Sequence, residues 1–257
     1  MFNKDTVGGT LSVALILCVV CSIVVASAAV LLRPMQQANK DLDRKTNILA
    51  AAGLLKEGVS VDEQFAEITV RAVDLNTGQF TDTVDVASYD QRKASKDPAQ
   101  SEELDTKTDL AKISRRANIA TIYIVESAAG IDKVILPIKG YGLWSTLYGF
   151  IALDGDMNTV AGLGFYEHAE TPGLGGEVDN PLWKAKWVGK KVFDSEGKTS
   201  LAIIKGVVDS SRAGSEHQID GLSGATLTSV GVSNLIQFWL GDNGFAPFLA
   251  KLKEGEA

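Results

Sequence analysis

An uncharged apolar segment lies close to the N-terminus of this chain. Residues 11–32, LSVALILCVVCSIVVASAAVLL, contain no charged side chain, and the nearest charges on either side are Asp5 and Arg33. A helix rising about 1.5 Å per residue covers about 33 Å over this length, which is enough to cross a hydrocarbon core of about 30 Å. The pattern predicts one transmembrane helix over residues 11–32, preceded by a short tail, residues 1–10.

A cleaved signal peptide is the alternative interpretation of this segment. Lys4 supplies a positive charge before it, and Ala26-Ser27-Ala28 has the small residues of a cleavage site. The apolar run is longer than the hydrophobic region of an ordinary signal peptide, and it continues past that site. We therefore favour a helix that remains in the chain.

The charges that flank this helix bear on its orientation. Lys4 and the α-amino group precede it, whereas Arg33, Lys40, Arg44 and Lys45 follow it. The positive-inside rule slightly favours a cytoplasmic C-terminal region, although a long domain can cross the membrane regardless of flanking charge.

Two cysteines, Cys18 and Cys21, lie one helical turn apart within the segment. Two thiols are fewer than the four ligands of a structural zinc or iron–sulfur site. We interpret them as small apolar residues that face lipid or another helix.

The helical pattern continues beyond the membrane segment, past Pro34, and ends near Gly53 and Gly58. Apolar residues recur there at intervals of three, four and seven positions. They are Leu42, Ile48, Leu49, Ala52 and Leu55.

Short runs of β-branched and apolar residues between turn signals predict strands in the remaining chain. These runs are residues 68–75, 79–86, 119–125, 133–138, 148–153, 160–166 and 201–205. Helical patterns cover residues 181–189, 226–240 and 245–252. We interpret the charged stretch, residues 90–116, as an exposed surface segment with a short helix over residues 102–113. Short strands joined by tight turns favour an α+β fold with a mainly antiparallel sheet and flanking helices. We divide this part into a membrane-proximal region, residues 33–118, and a compact domain, residues 119–257.

The composition excludes several classes of protein. The 257 residues are 45% hydrophobic and 22% charged, which excludes a disordered or collagen-like chain. The formal net charge is −7 and no basic block is present, so nucleic acid is not an expected partner. Two cysteines cannot build a disulfide framework, and with two histidines we expect no metal site.

Three glycine-rich stretches in residues 119–257 are the strongest candidates for chemistry. We call them loop A (Lys139–Ser145), loop B (Glu170–Glu177) and loop C (Asp220–Ser229). Glycine permits positive φ angles and close approach of the backbone to a ligand. One such loop is usually only a turn, but three in one domain indicate a bound planar cofactor.

Loop C carries candidate capping residues where a helix is predicted to begin. Ser223, Thr226 and Thr228 are candidate N-cap residues, and the free N–H groups of a helix N-terminus suit a phosphate. From the pattern alone, an ordinary cap is the simpler interpretation. Neither a P-loop nor a GxGxxG fingerprint that opens a helix is present.

A more specific motif lies in the same loop. Residues Asp220 to Thr226 match the flavinylation motif Asp-x-x-Ser/Thr-Gly-Ala-Thr at each specified position. With the N-terminal apolar helix and the Glu-Thr-Pro-Gly-Leu-Gly stretch of loop B, in that order, the chain resembles the C subunits of sodium-translocating NADH:quinone oxidoreductases. The related G subunit of the Rnf electron-transport complex shares these motifs but is shorter, so the extra residues 66–116 favour the first family. A cofactor-free, membrane-anchored binding protein is the third alternative.

The resemblance implies a flavoprotein with covalent FMN, whose FMN-binding domain would be residues 119–257. In that family the FMN phosphate is joined to the hydroxyl of the last threonine of the motif, here Thr226. A separate periplasmic flavin transferase performs the attachment, taking FMN from FAD with the help of Mg²⁺. His217, nine residues before Thr226, is an alternative base for that step, but we interpret it as a surface side chain.

The same resemblance implies the place of the chain in a larger enzyme. It would be an electron-transfer component of the sodium-transporting NADH:ubiquinone reductase, in contact with membrane lipid and with the A, B, D, E and F subunits. One electron at a time would pass from an iron–sulfur centre to this FMN and then to FMN on the B subunit, coupled to Na⁺ translocation. The soluble domain would lie in the periplasm, held at the bacterial inner membrane, against the small charge bias noted above. Electron transfer requires no acid–base pair, and we expect no catalytic side chain.

The expected FMN contacts lie in the three loops. Around Thr226, the candidates for the phosphate are Ser223, Gly224, Ala225, Leu227 and Thr228. The candidates for the faces of the isoalloxazine ring are Leu143, Trp144 and Leu174, and those for its polar edge are Glu170, Thr171 and Gly173. These residues would position the flavin and tune its potential.

Overall fold

The structure is a computed structural model that describes residues 6–128 and 130–257. The chain forms two compact units, of which the first ends at Arg44 and the second is Lys45–Ala257. Residues 1–5 lie outside the described residues. They include the first half of the predicted tail and Lys4, one of the charges that bear on the orientation of the helix.

The N-terminal apolar segment lies within one long helix, α1 (Val7–Ala51). The helix passes through Pro34 as predicted, although proline removes one backbone hydrogen bond. In the described part of the chain, α1 is the helix that is long and apolar enough to cross a membrane, by length and composition. Its apolar side chains over residues 13–32 are exposed, and Cys18 and Cys21 are free thiols among them.

The C-terminal end of α1 belongs to the second unit and is partly buried there. Of the predicted stripe, Ile48, Leu49 and Ala52 are buried, whereas Leu42 and Leu55 are nearly half exposed. Gly53 adopts φ +68°, which lets the N–H of Leu54 bond to the carbonyl of Leu49 at 2.8 Å. This left-handed glycine ends the helix, as the sequence predicts.

Ten strands are described, and six of them build one sheet. The strands are β1 (Ile68–Asp74), β2 (Gln79–Phe80), β3 (Ser101–Glu103), β4 (Arg115–Ala117), β5 (Ile119–Ser127), β6 (Gly130–Tyr141), β7 (Thr146–Asp154), β8 (Val160–Glu167), β9 (Ala202–Ile203) and β10 (Gln218–Ile219). The six-stranded sheet has the order β2-β1-β5-β6-β7-β8, and every neighbouring pair is antiparallel. The predicted α+β class with a mainly antiparallel sheet is confirmed.

Helices cover both faces of this sheet. The remaining α-helices of the described chain are α2 (Val61–Phe65), α3 (Gln91–Ala94), α4 (Pro181–Lys184), α5 (Thr226–Trp239) and α6 (Ala246–Glu254). Side chains alternate along β6, so that Val134 and Leu136 join the core formed with α5 and α6, whereas Ile135 joins the core formed with Ile48 at the end of α1. The sheet is therefore buried on both faces.

The predicted helix over residues 102–113 is wrong. Residues 101–103 form β3, which pairs with β4, and the connection between them is a series of turns. The carboxylate of Asp109 accepts the N–H groups of Ile113 and Ser114 at 2.9 and 2.7 Å, and Lys112 takes a positive φ of 52°. A side-chain acceptor thus replaces the carbonyl that a helix would use.

Three other predicted elements are shorter than expected. The strand over residues 79–86 ends at Phe80, the strand over 201–205 comprises Ala202–Ile203, and the helix over 181–189 is α4 followed by a 3₁₀ turn at Ala185–Trp187. Strand β9 pairs in parallel with β10, a pairing absent from our prediction. A strand of two residues is too short to show the alternation of side chains by which a sequence pattern predicts a strand.

Residues on both sides of the predicted boundary at residue 118 share the sheet. Strands β1 and β5 pair from Ile68 with Val125 to Asp74 with Ile119. The division between residues 33–118 and residues 119–257 stays a prediction.

Candidate functional site

Loops A, B and C meet at the carboxylate of Glu170, which is only 5% exposed. Its Oε1 accepts the backbone N–H groups of Leu143 and Trp144, both at 3.0 Å, and that of Ser145 at 3.4 Å. Its Oε2 accepts the hydroxyl of Thr228 at 2.7 Å. One carboxylate from loop B therefore joins loop A to loop C.

The charge of Glu170 is compensated by hydrogen-bond donors. Burial by itself raises the pKa of Glu170, but the bonds from the Trp144 N–H, the Thr228 hydroxyl and the Leu143 N–H outweigh it and lower the pKa below its usual value. The group is therefore ionised at neutral pH. In the described part of the chain, the groups that stabilise this negative charge are neutral N–H and O–H donors and not a cation.

Glycines make room for this arrangement. A Cβ on Gly142 would lie 2.6 Å from Glu170 Oε1, and a Cβ on Gly175 would lie 2.7 Å from Oε2 and 2.5 Å from Thr228 Oγ1. A Cβ on Gly231, in α5, would lie 2.5 Å from a backbone oxygen of loop A. Loops A and B and helix α5 therefore approach one another at distances that only glycine permits.

Thr226 is the first residue of α5 and is exposed. Ala225 occupies the N-cap position, and no side chain caps the helix, so the predicted caps Ser223, Thr226 and Thr228 are wrong. The reason is the position of the helix start: Gly224, at φ +71°, turns the chain just before it and places both threonines inside the first turn. The N–H groups of that turn are left without a side-chain cap, which is the arrangement that favours an anion.

Thr228 and Ser223 occupy opposite environments. Thr228 is 1% exposed, and its hydroxyl donates to Glu170, whereas Ser223 is exposed. Thr226 is thus the exposed threonine hydroxyl of loop C.

Large apolar side chains are exposed around these loops. Trp144 is 65% exposed, and Leu174, Leu227 and Val230 are also exposed, whereas Leu143 is half-buried. Leu174 lies against loop C, because a Cβ on Gly224 would be 3.0 Å from its Cδ2. Such side chains suit contact with a flat aromatic ligand.

A cleft of about 360 Å³ separates loop B and α4 from loop C. Its lining residues are Gly173, Glu177, Asn180, Leu182, Trp183, Lys186, Gly221, Leu222 and Ser223. Two of the predicted contacts, Gly173 and Ser223, therefore share one cleft.

Loop B is a tight turn held from both ends. The carbonyl of Thr171 accepts the N–H groups of Leu174 and Gly176 at 3.1 and 2.9 Å, and the Thr171 side chain is exposed. His168 Nδ1 accepts the N–H of Glu170 at 3.2 Å. His168 was not among the residues predicted from the sequence, because it precedes the motif and no local signal distinguishes it.

Asp220, the first residue of the flavinylation motif, is mainly a structural anchor. Its Oδ1 accepts the N–H of Val208 at 2.8 Å, its Oδ2 pairs with Lys186, and its carbonyl accepts the indole N–H of Trp183 at 2.9 Å. Burial by itself raises the pKa of Asp220, but the hydrogen bonds from Lys186 and Val208 outweigh burial, so the pKa lies below its usual value. Asp220 therefore ties loop C to α4 through its carbonyl, and to the 3₁₀ turn after α4 and the loop after β9 through its carboxylate.

His217 is half-buried and differs from the surface side chain that we expected. Its Nδ1 lies 2.8 Å from the carbonyl oxygen of Lys191. Since a carbonyl only accepts, Nδ1 carries a proton and donates it there. This histidine therefore ties the 3₁₀ turn Ser215–His217 to the backbone of Lys191.

Comparison with known proteins relates this site to a family. A family model described as an FMN-binding domain matches residues 142–241, which include most of loop A and all of loops B and C. The C subunit of the Na(+)-translocating NADH-quinone reductase of Pseudomonas aeruginosa is 55% identical over 261 residues and covers 100% of both chains. That of Vibrio vulnificus is 52% identical over 256 residues and covers 99% of each. This chain belongs to the family of Na(+)-translocating NADH-quinone reductase C subunits.

The structural comparison agrees with this assignment. The crystal structure of Shewanella oneidensis NqrC matches with a TM-score of 0.75 at 36% identity, over 84% of this chain and 97% of that one. The family predicted from the helix, loop B and the loop C motif is confirmed, which sets the Rnf alternative aside. As a member of this family, the chain is one component of an NADH:quinone oxidoreductase, and it contains an FMN-binding domain.

Proposed function

We propose that this chain carries FMN joined by a phosphoester to the hydroxyl of Thr226. The observation that carries the proposal is the placement of Thr226, exposed at the first position of α5 inside the FMN-binding match. The Thr228 hydroxyl is buried and bonded to Glu170, so it is not available for attachment.

The residues around Thr226 fit this cofactor. The uncapped first turn of α5 suits a phosphodiester with one negative charge, because the helix dipole and free N–H groups favour an anion there. Trp144, Leu143 and Leu174 supply apolar contact area for the isoalloxazine ring. Thr171 and Gly173 on loop B supply polar groups for its edge, and FMN, when bound, supplies the electron-transfer chemistry.

Glu170, which we expected at that polar edge, has both carboxylate oxygens bonded to protein groups. Glu170 would therefore act on the polar edge of the isoalloxazine ring indirectly, by fixing the loops that surround the ring.

Attachment requires a second protein in this proposal. The Thr226 oxygen forms a bond to the FMN phosphorus of FAD, the pyrophosphate bond breaks, AMP leaves, and the hydroxyl proton passes to a base. No described carboxylate or histidine bonds to the Thr226 hydroxyl, so we assign the base and the Mg²⁺ to a periplasmic flavin transferase. The exposure of Thr226 supports access by such an enzyme.

We infer the place of the chain in the complex from its family. We assign this FMN to the electron path between an iron–sulfur centre and the FMN of the B subunit, coupled to Na⁺ translocation. The direct partners would be among the A, B, D, E and F subunits.

The intact mass of the purified chain tests the covalent attachment. Protein from cells that contain a flavin transferase should exceed its sequence mass by one FMN less one water, and its band should fluoresce in a denaturing gel. Protein from cells without the transferase is the control and should have the sequence mass. An unmodified mass in both preparations would contradict the proposal.

A reporter fusion tests the proposed periplasmic orientation at the inner membrane. A reporter that is active only outside the cytoplasm should work when it is fused after Glu254, at the end of α6. The same reporter fused before the first residue should be inactive, because α1 is the candidate span between the two positions. The reverse pattern would show a cytoplasmic domain.

A further inference from the structure

We infer that Glu170 is a positioning residue that sets the geometry of the attachment site from behind loops A and C. The inference deepens the proposed function of Thr226 and rests on it. Glu170 would not contact the flavin through its carboxylate, because both oxygens are bonded to the protein.

Glu170 holds the backbone of loop A. Three consecutive N–H groups, those of Leu143, Trp144 and Ser145, point at the single atom Oε1 of Glu170. The N–H of Gly142 closes the same turn on the carbonyl of Ser145 at 2.9 Å. The backbone of loop A is thereby fixed while the Trp144 side chain stays exposed, and loss of the acceptor would leave partly buried N–H groups unsatisfied.

Glu170 also holds the helical turn at the end of loop C. Thr228 lies in the same helical turn as Thr226, and its hydroxyl is bonded to Oε2 of Glu170 at 2.7 Å. Ser229 holds the other side of the loop, where its hydroxyl accepts the N–H of Leu222 at 3.0 Å. The Glu170 carboxylate therefore bonds the Thr226 turn to loop A at the N-terminal end of α5.

The donors around Glu170 favour a carboxylate over an amide at this position. An ionised carboxylate only accepts, and four donors surround this one. A glutamine would turn one NH₂ group toward donors and would remove the charge. A fixed negative charge close to the loops that face the flavin also opposes the addition of electrons to it, so Glu170 would lower the flavin midpoint potential.

The experiment compares Glu170→Gln, Thr228→Val and their double variant in the full-length chain. Glu196→Gln is the matched control, because Glu196 is an exposed carboxylate paired with Lys198 on the surface. The first measurement uses flavin-free protein and follows amide hydrogen exchange of peptides that cover loop A. A hydrogen bond to a charged group corresponds to about a tenfold to hundredfold change in an opening equilibrium, and we expect loop A exchange in Glu170→Gln to accelerate by that factor.

The second measurement uses FAD and the flavin transferase. We expect the initial rate of covalent FMN attachment to fall about tenfold in Glu170→Gln and in Thr228→Val. The double variant should be about as slow as the slower single variant, because the two side chains share one hydrogen bond. The midpoint potential of attached flavin should shift to more positive values in Glu170→Gln and stay in place in Thr228→Val, which keeps the charge.

The results with these variants decide whether Glu170 positions loops A and C. Exchange, attachment and potential in Glu170→Gln that equal those of Glu196→Gln would overturn it. If the unsubstituted chain takes up no FMN, the proposed function fails, and the exchange of loop A still decides the role of Glu170. If Glu170→Gln does not fold, Thr228→Val carries the test, and attachment at the control rate in that variant would overturn the inference.

Discussion

Thr226→Val should abolish covalent FMN and leave a folded chain. Valine keeps the branched shape of threonine and removes the hydroxyl oxygen that would bond to phosphorus. Thr226 is exposed and does not cap α5, so the change in the free energy of unfolding should stay within about 0.5 kcal/mol. Intact mass and in-gel fluorescence measure the flavin, and circular dichroism measures the fold.

Thr228→Val is the matched control for this prediction. It removes a hydroxyl two residues away but leaves the Thr226 oxygen in place, so FMN should still become attached, at a lower rate. The loss of a hydrogen bond to a charged group should reduce the free energy of unfolding by about 1.5–3 kcal/mol. Peptide mass mapping completes the test, because an adduct on Ser223 or Thr228 in the unsubstituted chain would contradict the assignment to Thr226.

Gly175→Ala should be strongly destabilising and should reduce FMN attachment. Its Cβ would lie 2.5 Å from Thr228 Oγ1 and 2.7 Å from Glu170 Oε2, two buried atoms that are bonded to each other. Overpacking costs about 1–3 kcal/mol, and disruption of the hydrogen bond adds about 1.5–3 kcal/mol. We expect a loss of about 2.5–6 kcal/mol in the free energy of unfolding, measured by urea denaturation of the flavin-free chain.

Gly164→Ala is the control for this substitution. Gly164 lies in β8, and a Cβ there would meet Ala51 Cβ at 3.9 Å, an ordinary van der Waals distance. Its effect should stay within about 1 kcal/mol, since alanine also reduces the freedom of the unfolded chain. Equal effects of the two substitutions would show that the enclosure of Glu170 does not contribute to stability.

The features that the sequence determined by itself are those encoded by neighbouring residues. The apolar composition of residues 11–32 predicts a helix wherever the segment lies, and α1 contains it. Short runs of β-branched and apolar residues between turn signals predicted β5, β6, β7 and β8. The seven residues from Asp220 to Thr226 carried most of the resemblance to the family, since the motif is contiguous.

Only the tertiary structure decided the roles of individual side chains within the site. Glu170 lies 25 to 58 residues along the chain from the donors that it holds, and no local pattern relates a loop carboxylate to a threonine in a later helix. Asp220 is likewise 34 and 37 residues from Lys186 and Trp183, which it binds.

The roles of the hydroxyls at the start of α5 were also decided by the folded structure. The helix begins at Thr226, as the sequence predicted, but Ala225 and not a hydroxyl residue occupies the N-cap position. Thr228 is a buried donor, whereas Thr226 is exposed. Hydrogen bonds such as that between Thr228 and Glu170 form between segments that folding brings together, so their energies depend on the packed structure and not on adjacent residues.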